Sequence, residues 1–377
     1  MFLLVFLLVY GALQAYVMHK AVAAFAWRGR KGRGAWLWAG FMTLAPILLW
    51  PLEHCDCRLL VGAFAALVYG WMGASFLFFW LALALDAWRL PARLFRLPVP
   101  RPRPAFLGVA AAVMALSAYG VHEALNPRVE RIEIVSDQLP PGTGRVRIAL
   151  ISDVHLGVTM GPRRLPTILE RIKALDPDIL VSTGDMVDGS ALHLEGSAAR
   201  FAAIQPRFGK YAVMGNHEQY RGLAMSLAFH EQAGFRVLRG EAVEVLPGLL
   251  IAGVDDPGHG GPGVVARGGA DTTDDAALLA RLPAGKFVLF LKHQPVPPTD
   301  ALAHLDLQLS GHTHGGQIQP FYWLTRLRYS LGPGLHALPG GGRLYVSRGS
   351  GTWGPPMRVL APAEITLIEL VPARRGE

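Results

Sequence analysis

Four long uncharged apolar segments lie in the first third of this chain. They cover residues 2–18, 35–52, 59–85 and 105–121, and no comparable run follows residue 125. Each approaches or exceeds the ~17 to 25 residues that cross a bilayer. The stretch FLLVFLLVY also lacks the polar stripe expected of a helix packed into a soluble core. We therefore expect a transmembrane region of four helices in residues 1–125 and a second domain in residues 126–377.

Lysine and arginine are unevenly distributed among the loops between these segments. Five lie between the first and second segments, five between the third and fourth, and only Arg58 between the second and third. Short cytoplasmic loops are enriched in these residues. The pattern predicts a multi-pass protein of the bacterial inner membrane, with its N-terminus and its large domain on the non-cytoplasmic side.

The net charge does not indicate a nucleic-acid partner. Residues 1–125 contain 11 Lys and Arg against four Asp and Glu, whereas the remainder contains 25 against 24. The excess of base therefore belongs to the membrane loops. The two cysteines, Cys55 and Cys57, fall in the predicted outer loop as HCDC. Two thiols and one histidine offer too few ligands for a typical metal site, so we expect no functional role for the two cysteines.

Beyond residue 126, short β-branched runs alternate with helical patterns, which is typical of a layered α/β or α+β domain. Five of the predicted strands are followed by turns that contain side chains able to bind metals. The turns are SDVHLG, GDMVD, GNHE, KHQP and SGHTHGG. The candidate site residues in these turns are Asp153, His155, Asp185, Asn216, His217, His293, His312 and His314.

The number and type of these residues favour two metal ions over one. Eight candidates exceed what a single ion with an open position would use, and they suit two ions that share a carboxylate. Oxygen and nitrogen ligands without thiolate favour Mn, Fe, Zn or Mg. Two such ions neutralise phosphate oxygens and lower the pKa of a shared water, so that hydroxide is available near neutral pH. The chemistry indicated is metal-dependent phosphoester hydrolysis.

The ordered motifs DxH, GDxxD, GNHE, H and GHTH resemble those of the calcineurin-like metallophosphoesterase superfamily, over about residues 146–371. The resemblance implies an α+β fold, a four-layered α-β-β-α sandwich, after the four-helix transmembrane region. It also implies that Asp185 bridges the two metals and that His217 acts near the leaving group rather than as a ligand. The implied ligands are Asp153, His155 and His314 for one metal and Asn216, His293 and His312 for the other.

A narrower resemblance concerns the membrane-associated branch of this superfamily. GHTHGGQI followed by SRGSGTWGPPMRV is similar to transmembrane metallophosphoesterase-domain proteins and to a type of UDP-2,3-diacylglucosamine pyrophosphatase. We expect a lipid-linked or envelope substrate at the bilayer. One alternative is a pyrophosphatase of lipid A synthesis with a cytoplasmic site, which conflicts with the charge pattern. Another is a metal-binding scaffold without catalysis. The sequence leaves the substrate, the metals and the oligomeric state open.

Four further residues have weaker claims to a role in the site. Asp188 in GDMVD is predicted as a turn or cap residue, because Asp185 already takes the bridging position. His259 lies in a Gly-rich loop that could extend over the cleft. Arg348 and Arg358 flank the TWGPP turn, where they either clamp a second phosphate or remain solvated.

Overall fold

A computed structural model describes residues 2–53, 57–158, 164–189, 194–257 and 275–373. The chain divides into two compact units. The helical unit contains Met1–Glu123 and Gly354–Leu360, and the sheet unit contains Ala124–Trp353 and Ala361–Glu377. Cys55 and His259 lie outside the described residues.

Four helices that are long and apolar enough to cross a membrane form most of the helical unit, which confirms the four predicted apolar helices. They are α1 (Phe2–Phe25), α2 (Gly29–Leu52), α3 (Arg58–Leu94) and α4 (Pro102–Leu125). Each helix continues past its uncharged run at one end or both. Lysine and arginine are tolerated at the ends of such helices because their long side chains can extend toward water.

Polar side chains join α1 to α3. Asp86 of α3 accepts hydrogen bonds from the Tyr16 hydroxyl, at 2.7 Å, and from the Lys20 ammonium, both on α1. Trp71 Nε1 of α3 donates to Gln14 Oε1 of α1 at 2.9 Å. Polar groups among apolar helices are stable when they pair with each other, so these contacts define how α1 and α3 align.

The short second segment of the helical unit packs on α3 and α4 at two glycines. A Cβ at Gly120 would lie 2.9 Å from Val359 Cγ2, and one at Gly73 would lie 2.9 Å from the Met357 side chain. Arg358 N also donates to Gly120 O at 2.8 Å. Glycine at these two positions therefore permits a close approach that a larger residue would block.

Twelve described strands form the sheet unit. They are β1 (Arg128–Ser136), β2 (Val146–Ile151), β3 (Ile179–Ser182), β4 (Lys210–Ala212), β5 (Arg236–Val237), β6 (Glu241–Leu246), β7 (Leu249–Gly253), β8 (Phe287–Leu291), β9 (Leu307–Ser310), β10 (Gly334–Ala337), β11 (Arg343–Val346) and β12 (Glu364–Pro372). The sheet orders are β1-β12-β2-β3-β4-β5 and β10-β11-β9-β8-β7-β6. Only the pairs β12–β2, β6–β7 and β10–β11 are antiparallel among them.

Helices cover the outer faces of both sheets, and this gives the expected four layers. The helices are α5 (Leu165–Leu175), α6 (Ser197–Ala202), α7 (Asn216–Arg221), α8 (Leu223–Gln232), α9 (Asp275–Ala280) and α10 (Tyr322–Arg328). Buried residues of α5, α6 and α8 share a cluster with the first sheet, and those of α9 share one with the second. A third cluster lies between the sheets. The α-β-β-α sandwich is thus confirmed.

Strand β2 shows how the sequence specifies the layers. Ile148 and Leu150 belong to the cluster between the sheets, while Ala149 and Ile151 belong to the cluster under the helices. Successive side chains of a strand point to opposite faces. A central strand with helices on one face and a second sheet on the other is therefore apolar on both faces where it is covered, as from Ile148 to Ile151, whereas Arg147 near its start pairs with Asp176.

Candidate metal centre

The predicted ligands come from loops that follow parallel strands. Strands β2, β3 and β4 are parallel neighbours, and so are β8 and β9. Their carboxyl ends lie at one edge of each sheet, where α/β proteins commonly bind ligands. Five of the candidate ligands have a left-handed backbone, with φ between 51° and 68°: Asp153, His155, Asp185, His312 and His314. Such strained conformations in residues other than glycine are concentrated at functional sites.

One group of ligand atoms consists of Asp153, His155 and His314. One atom from each lies within 4.8 Å of the other two. His155 Nε2 is 3.0 Å from His314 Nε2, and His314 Nε2 is 3.4 Å from Asp153 Oδ1. Two imidazole nitrogens that face each other beside a carboxylate offer lone pairs to one point, which suits a cation.

A second group consists of Asp185, His293 and His312, again within 4.8 Å of one another. His293 Nε2 is 3.1 Å from Asn216 Oδ1 and 3.2 Å from Asp185 Oδ2. The other ring nitrogen of His293 donates to Thr183 O at 2.8 Å. A neutral His293 therefore presents its Nε2 lone pair to surrounding oxygens. This orientation of a histidine by its second nitrogen is typical of metal ligands.

Asp185 lies between the two groups. Its Oδ2 is 3.2 Å from His293 Nε2 and 3.8 Å from His155 Nε2. Its Oδ1 accepts a hydrogen bond of 2.9 Å from His217 N, which fixes the carboxylate. The structure thus brings together all seven residues that the sequence predicted as ligands, with Asp185 between the two groups.

The electrostatics of the site favour added positive charge. Burial raises the pKa of Asp153, and the neighbouring Asp185 carboxylate raises it further against the influence of His293. Burial would lower the pKa of His293, but Asp185 and Asp153 raise it well above its usual value. Two buried carboxylates that lie close together, as Asp153 and Asp185 do, are stabilised by bound cations or protons. The ligand set therefore fits divalent ions by its chemistry as well as by its geometry.

His217 lies beside the ligands: it forms a further group with His155 and Asp185, with one possible ligand atom of each within 4.8 Å of the others. Its Nδ1 is 2.8 Å from Asp188 Oδ1. Burial would lower the pKa of His217, but the Asp185 and Asp188 carboxylates raise it to about 9. The half-exposed rings of Tyr220 and Trp353 each have a centroid 5.6 Å from the His217 centroid. His217 is therefore held by a carboxylate on one nitrogen and flanked by two aromatic rings.

Asp188 has a more specific place than the predicted turn or cap role. Its carboxylate also accepts from Arg221 Nε at 3.1 Å and lies 3.3 Å from His155 Nδ1. Burial would raise the pKa of Asp188, but His217 and His155 hold it well below its usual value. A carboxylate three residues after Asp185 could have been recognised from sequence as a partner for the histidine of GNHE.

Glu218 is a residue that the sequence analysis missed. Its buried carboxylate accepts four backbone N–H groups, from Asp185 (2.9 Å), Met186 (2.6 Å), Val187 (2.9 Å) and Gly215 (2.8 Å). It is the third residue of α7, and a glutamate there often reaches back to the residue that caps the helix. That spacing was the available signal. Glu218 thus ties the Asp185 turn to the Asn216 turn.

The two arginines with weaker claims lie in structural contacts. Arg348 forms ion pairs with Glu130 (2.5 Å) and Glu364 (2.6 Å). Arg358 is fully buried in the helical unit. Arg358 is thus not solvated, and Arg348 is held by two carboxylates; the phosphate clamp stays a prediction.

Comparisons with known proteins agree with this geometry. A family model described as calcineurin-like phosphoesterase matches residues 146–316. An uncharacterized metallophosphoesterase of Aquifex aeolicus is 42% identical over 68% of this chain and 96% of its own length. A transmembrane protein with metallophosphoesterase domain from Danio rerio is 33% identical over 68% of this chain and 60% of its own length. A protein of the same description from Bos taurus is 33% identical over 77% of this chain and 68% of its own length.

Proposed function

Because the chain belongs to the calcineurin-like metallophosphoesterase family and is a metal-dependent phosphoester hydrolase, we propose a substrate class for it. The enzyme cleaves a phosphoester or pyrophosphate bond in a lipid-linked or envelope substrate. The observation that carries the proposal is the pair of buried ligand groups around Asp185, in a chain with four helices able to cross a bilayer. Calcineurin-like phosphoesterases use two divalent metals.

The ligand groups supply the proposed metal assignments. Asp153, His155 and His314 would hold one ion. Asn216, His293 and His312 would hold the other, and Asp185 would contact both. When bound, two such ions supply positive charge to the phosphate oxygens and lower the pKa of water. The backbone N–H of His217 and the carboxylate of Glu218 keep Asp185 and its turn in place for this task.

His217 is proposed to donate a proton to the leaving-group oxygen. Its Nδ1 is engaged by Asp188, so Nε2 is the atom available for transfer. The Asp188 carboxylate at Nδ1 favours the protonated imidazolium, as a general acid requires. The partly exposed rings of Tyr220 and Trp353 could contact the group that leaves.

The membrane helices support a substrate in or near the bilayer. Anchoring restricts an enzyme to the membrane surface and raises its effective concentration toward lipid-borne substrates. It gives no comparable gain toward a freely diffusing solute. We further propose that residues 126–377 form the catalytic domain and that the domain lies on the non-cytoplasmic side of a bacterial inner membrane, because the basic loops favour that orientation.

A matched pair of substrates tests this function. The full-length protein, reconstituted in nanodiscs, is given phosphatidic acid in the bilayer or glycerol 3-phosphate in solution, which carry the same phosphomonoester with and without acyl chains. Diacylglycerol pyrophosphate and bis-p-nitrophenyl phosphate extend the set to the other bond types. We expect a higher kcat/KM for the lipids, dependence on Mn, Fe, Zn or Mg, and loss of activity with a chelator.

Two results would contradict separate parts of the proposal. Hydrolysis confined to the water-soluble compounds would show that the bilayer substrate is wrong while the chemistry is right. Absence of hydrolysis for every compound with each metal, in a preparation that binds two ions, would support the scaffold without catalysis. The Asp185→Ala variant provides the background rate, and Asp300→Ala, at an exposed position, controls for substitution itself.

A further inference from the structure

Helix α10 exposes an apolar surface, which we call the α10 face: Trp323, Leu324 and Leu327. These side chains are 70%, 50% and 84% exposed. Residues four and three apart in a helix lie on one side, so the three form a single patch. Phe321, 44% exposed, precedes the helix and extends the patch. Large apolar side chains that are grouped and exposed mark interaction surfaces.

The amphipathic pattern of α10 is inverted relative to an ordinary surface helix. Its partly buried residues are polar or hydroxylated, namely Tyr322, Thr325 and the adjoining Tyr329. The Tyr329 hydroxyl donates to Gln294 Oε1 at 3.0 Å. A helix that packs on its own domain normally turns its apolar side inward. The apolar side of α10 instead faces away from the residues that anchor the helix.

Two exposed arginines flank the α10 face. Arg326 lies 6.0 Å from the Tyr322 ring centroid, and Arg328 lies 5.3 Å from the Tyr329 centroid. No Asp or Glu occurs between Asp306 and Glu364 in the sequence, so the helix has no acidic neighbour along the chain. Tryptophan and leucine on one side with arginine beside them are typical of helices that lie in the headgroup region of anionic membranes.

We propose that α10 docks into the headgroup region of an anionic bilayer through Trp323, Leu324 and Leu327, with Arg326 and Arg328 against lipid phosphates. The bilayer is the favoured occupant because the arginines complement anionic headgroups. It is also a surface that a chain with four helices able to cross a membrane keeps nearby. This contact of α10 with lipid does not require that the substrate be a lipid.

Both ends of α10 adjoin the candidate metal centre. The Tyr329 ring centroid is 5.4 Å from that of His312. At the other end, the backbone of Tyr322 leaves no room for a side chain at Gly316, two residues after His314. Docking of α10 would therefore hold the loop that carries His312 and His314 at a fixed depth relative to the headgroups.

Spin-label accessibility measures this contact directly. The full-length Cys55→Ser/Cys57→Ser protein is labelled with a nitroxide at Leu327→Cys and reconstituted in nanodiscs that contain phosphatidylglycerol. Lipid immersion raises collisions with oxygen and lowers collisions with a water-soluble nickel chelate. We expect the ratio of oxygen to nickel accessibility at residue 327 to be several-fold higher than at Lys173→Cys, an exposed position on α5. Arg326→Gln/Arg328→Gln should reduce that difference.

Two results would overturn the proposal, and neither depends on activity. A label at residue 327 that is as open to nickel as the label at residue 173 would show that α10 is in water. A label shielded from both reagents would show that a second copy or another protein covers the helix. A matching signal at Trp323→Cys ensures that the result does not depend on one variant.

Discussion

At the scale of single residues, Asp185 is the side chain on which both ligand groups depend. It is 98% buried, and its Oδ2 lies 3.2 Å from His293 Nε2 and 3.8 Å from His155 Nε2. We expect Asp185→Ala to abolish hydrolysis and to lower the metal content below two ions per chain, because one carboxylate keeps both metals in register. Elemental analysis with turnover measurement checks this. Wild-type turnover with a single ion per chain would contradict it.

His217 should respond differently, because we place it outside the ligand set. We expect His217→Ala to retain both metals while kcat falls by about 10² to 10⁴-fold, the usual contribution of a general acid. Since Asp188 acts in part through His217 and in part on His155, Asp188→Asn should lower kcat less when it is added to His217→Ala than when it is made alone. The measurement is kcat and metal content for both single variants and the double variant. Loss of metal from His217→Ala would show that the residue is a ligand.

Glu218 provides a test of how the site is organised before metal binds. Its carboxylate accepts four backbone N–H groups in a fully buried position. Glu218→Gln places an amide N–H₂ against those donors, so we expect the free energy of unfolding to fall by at least about 1 to 3 kcal/mol. Thermal unfolding of the metal-free protein measures this. Exposed Glu241→Gln is the control, and an unchanged melting temperature for Glu218→Gln would show that the hydrogen bonds are dispensable.

At the scale of elements, helix α4 contains a matched pair of glycines. A Cβ at Gly120 would meet Val359 and the Arg358 carbonyl oxygen, at 2.9 and 3.2 Å, while one at Gly108 would meet nothing within 4 Å. Overpacking usually destabilises by about 1 to 3 kcal/mol, whereas alanine raises helix propensity by up to about 1 kcal/mol. We therefore expect Gly120→Ala to lower the melting temperature in detergent and Gly108→Ala to leave it unchanged or raise it. Equal effects would mean that the packing at Gly120 is loose.

At the scale of the whole molecule, the orientation in the membrane decides which substrates can reach the site. Ten bases lie in the two loops that we assign to the cytoplasm, against Arg58 alone in the loop between them. With four crossings, the N-terminus and the catalytic domain share one side. We expect protease added to intact spheroplasts to degrade the C-terminal domain, because the positive-inside bias places it outside.

The charge variant of this experiment separates the membrane bias from the metal site. Replacing Arg28, Arg30, Lys31 and Arg33 with glutamine should increase the protected fraction of the domain without changing its metal content. Full protection of the wild-type domain until detergent is added would reverse the orientation. A cytoplasmic nucleotide-lipid substrate would then become the better candidate.

Local patterns in the sequence predicted most of the site, for a physical reason. Each candidate ligand follows an apolar strand within a few residues, and parallel strands bring their carboxyl ends to one edge. The pairing of His293 in KHQP with Asn216 came instead from the family resemblance, because the strands before them, β8 and β4, belong to different sheets. For Asp188 and Glu218, the spacing suggested a partner but could not identify the atoms that each carboxylate contacts. Their roles depend on which backbone N–H or ring nitrogen lies within about 3 Å, and only packing settles this.

The sequence by itself determined four apolar helices, a layered domain of strands and helices, and the chemical type of the site, because length, periodicity and residue type act locally along the chain; the α-β-β-α sandwich was implied by the family resemblance. Tertiary structure alone decided that Asp188 contacts both His155 and His217 and that the residues around Met357 pack against α3 and α4. It also decided that the apolar side of α10 faces outward. These properties arise from contacts between residues far apart in the chain, and their geometry is fixed only when the surrounding side chains are packed together.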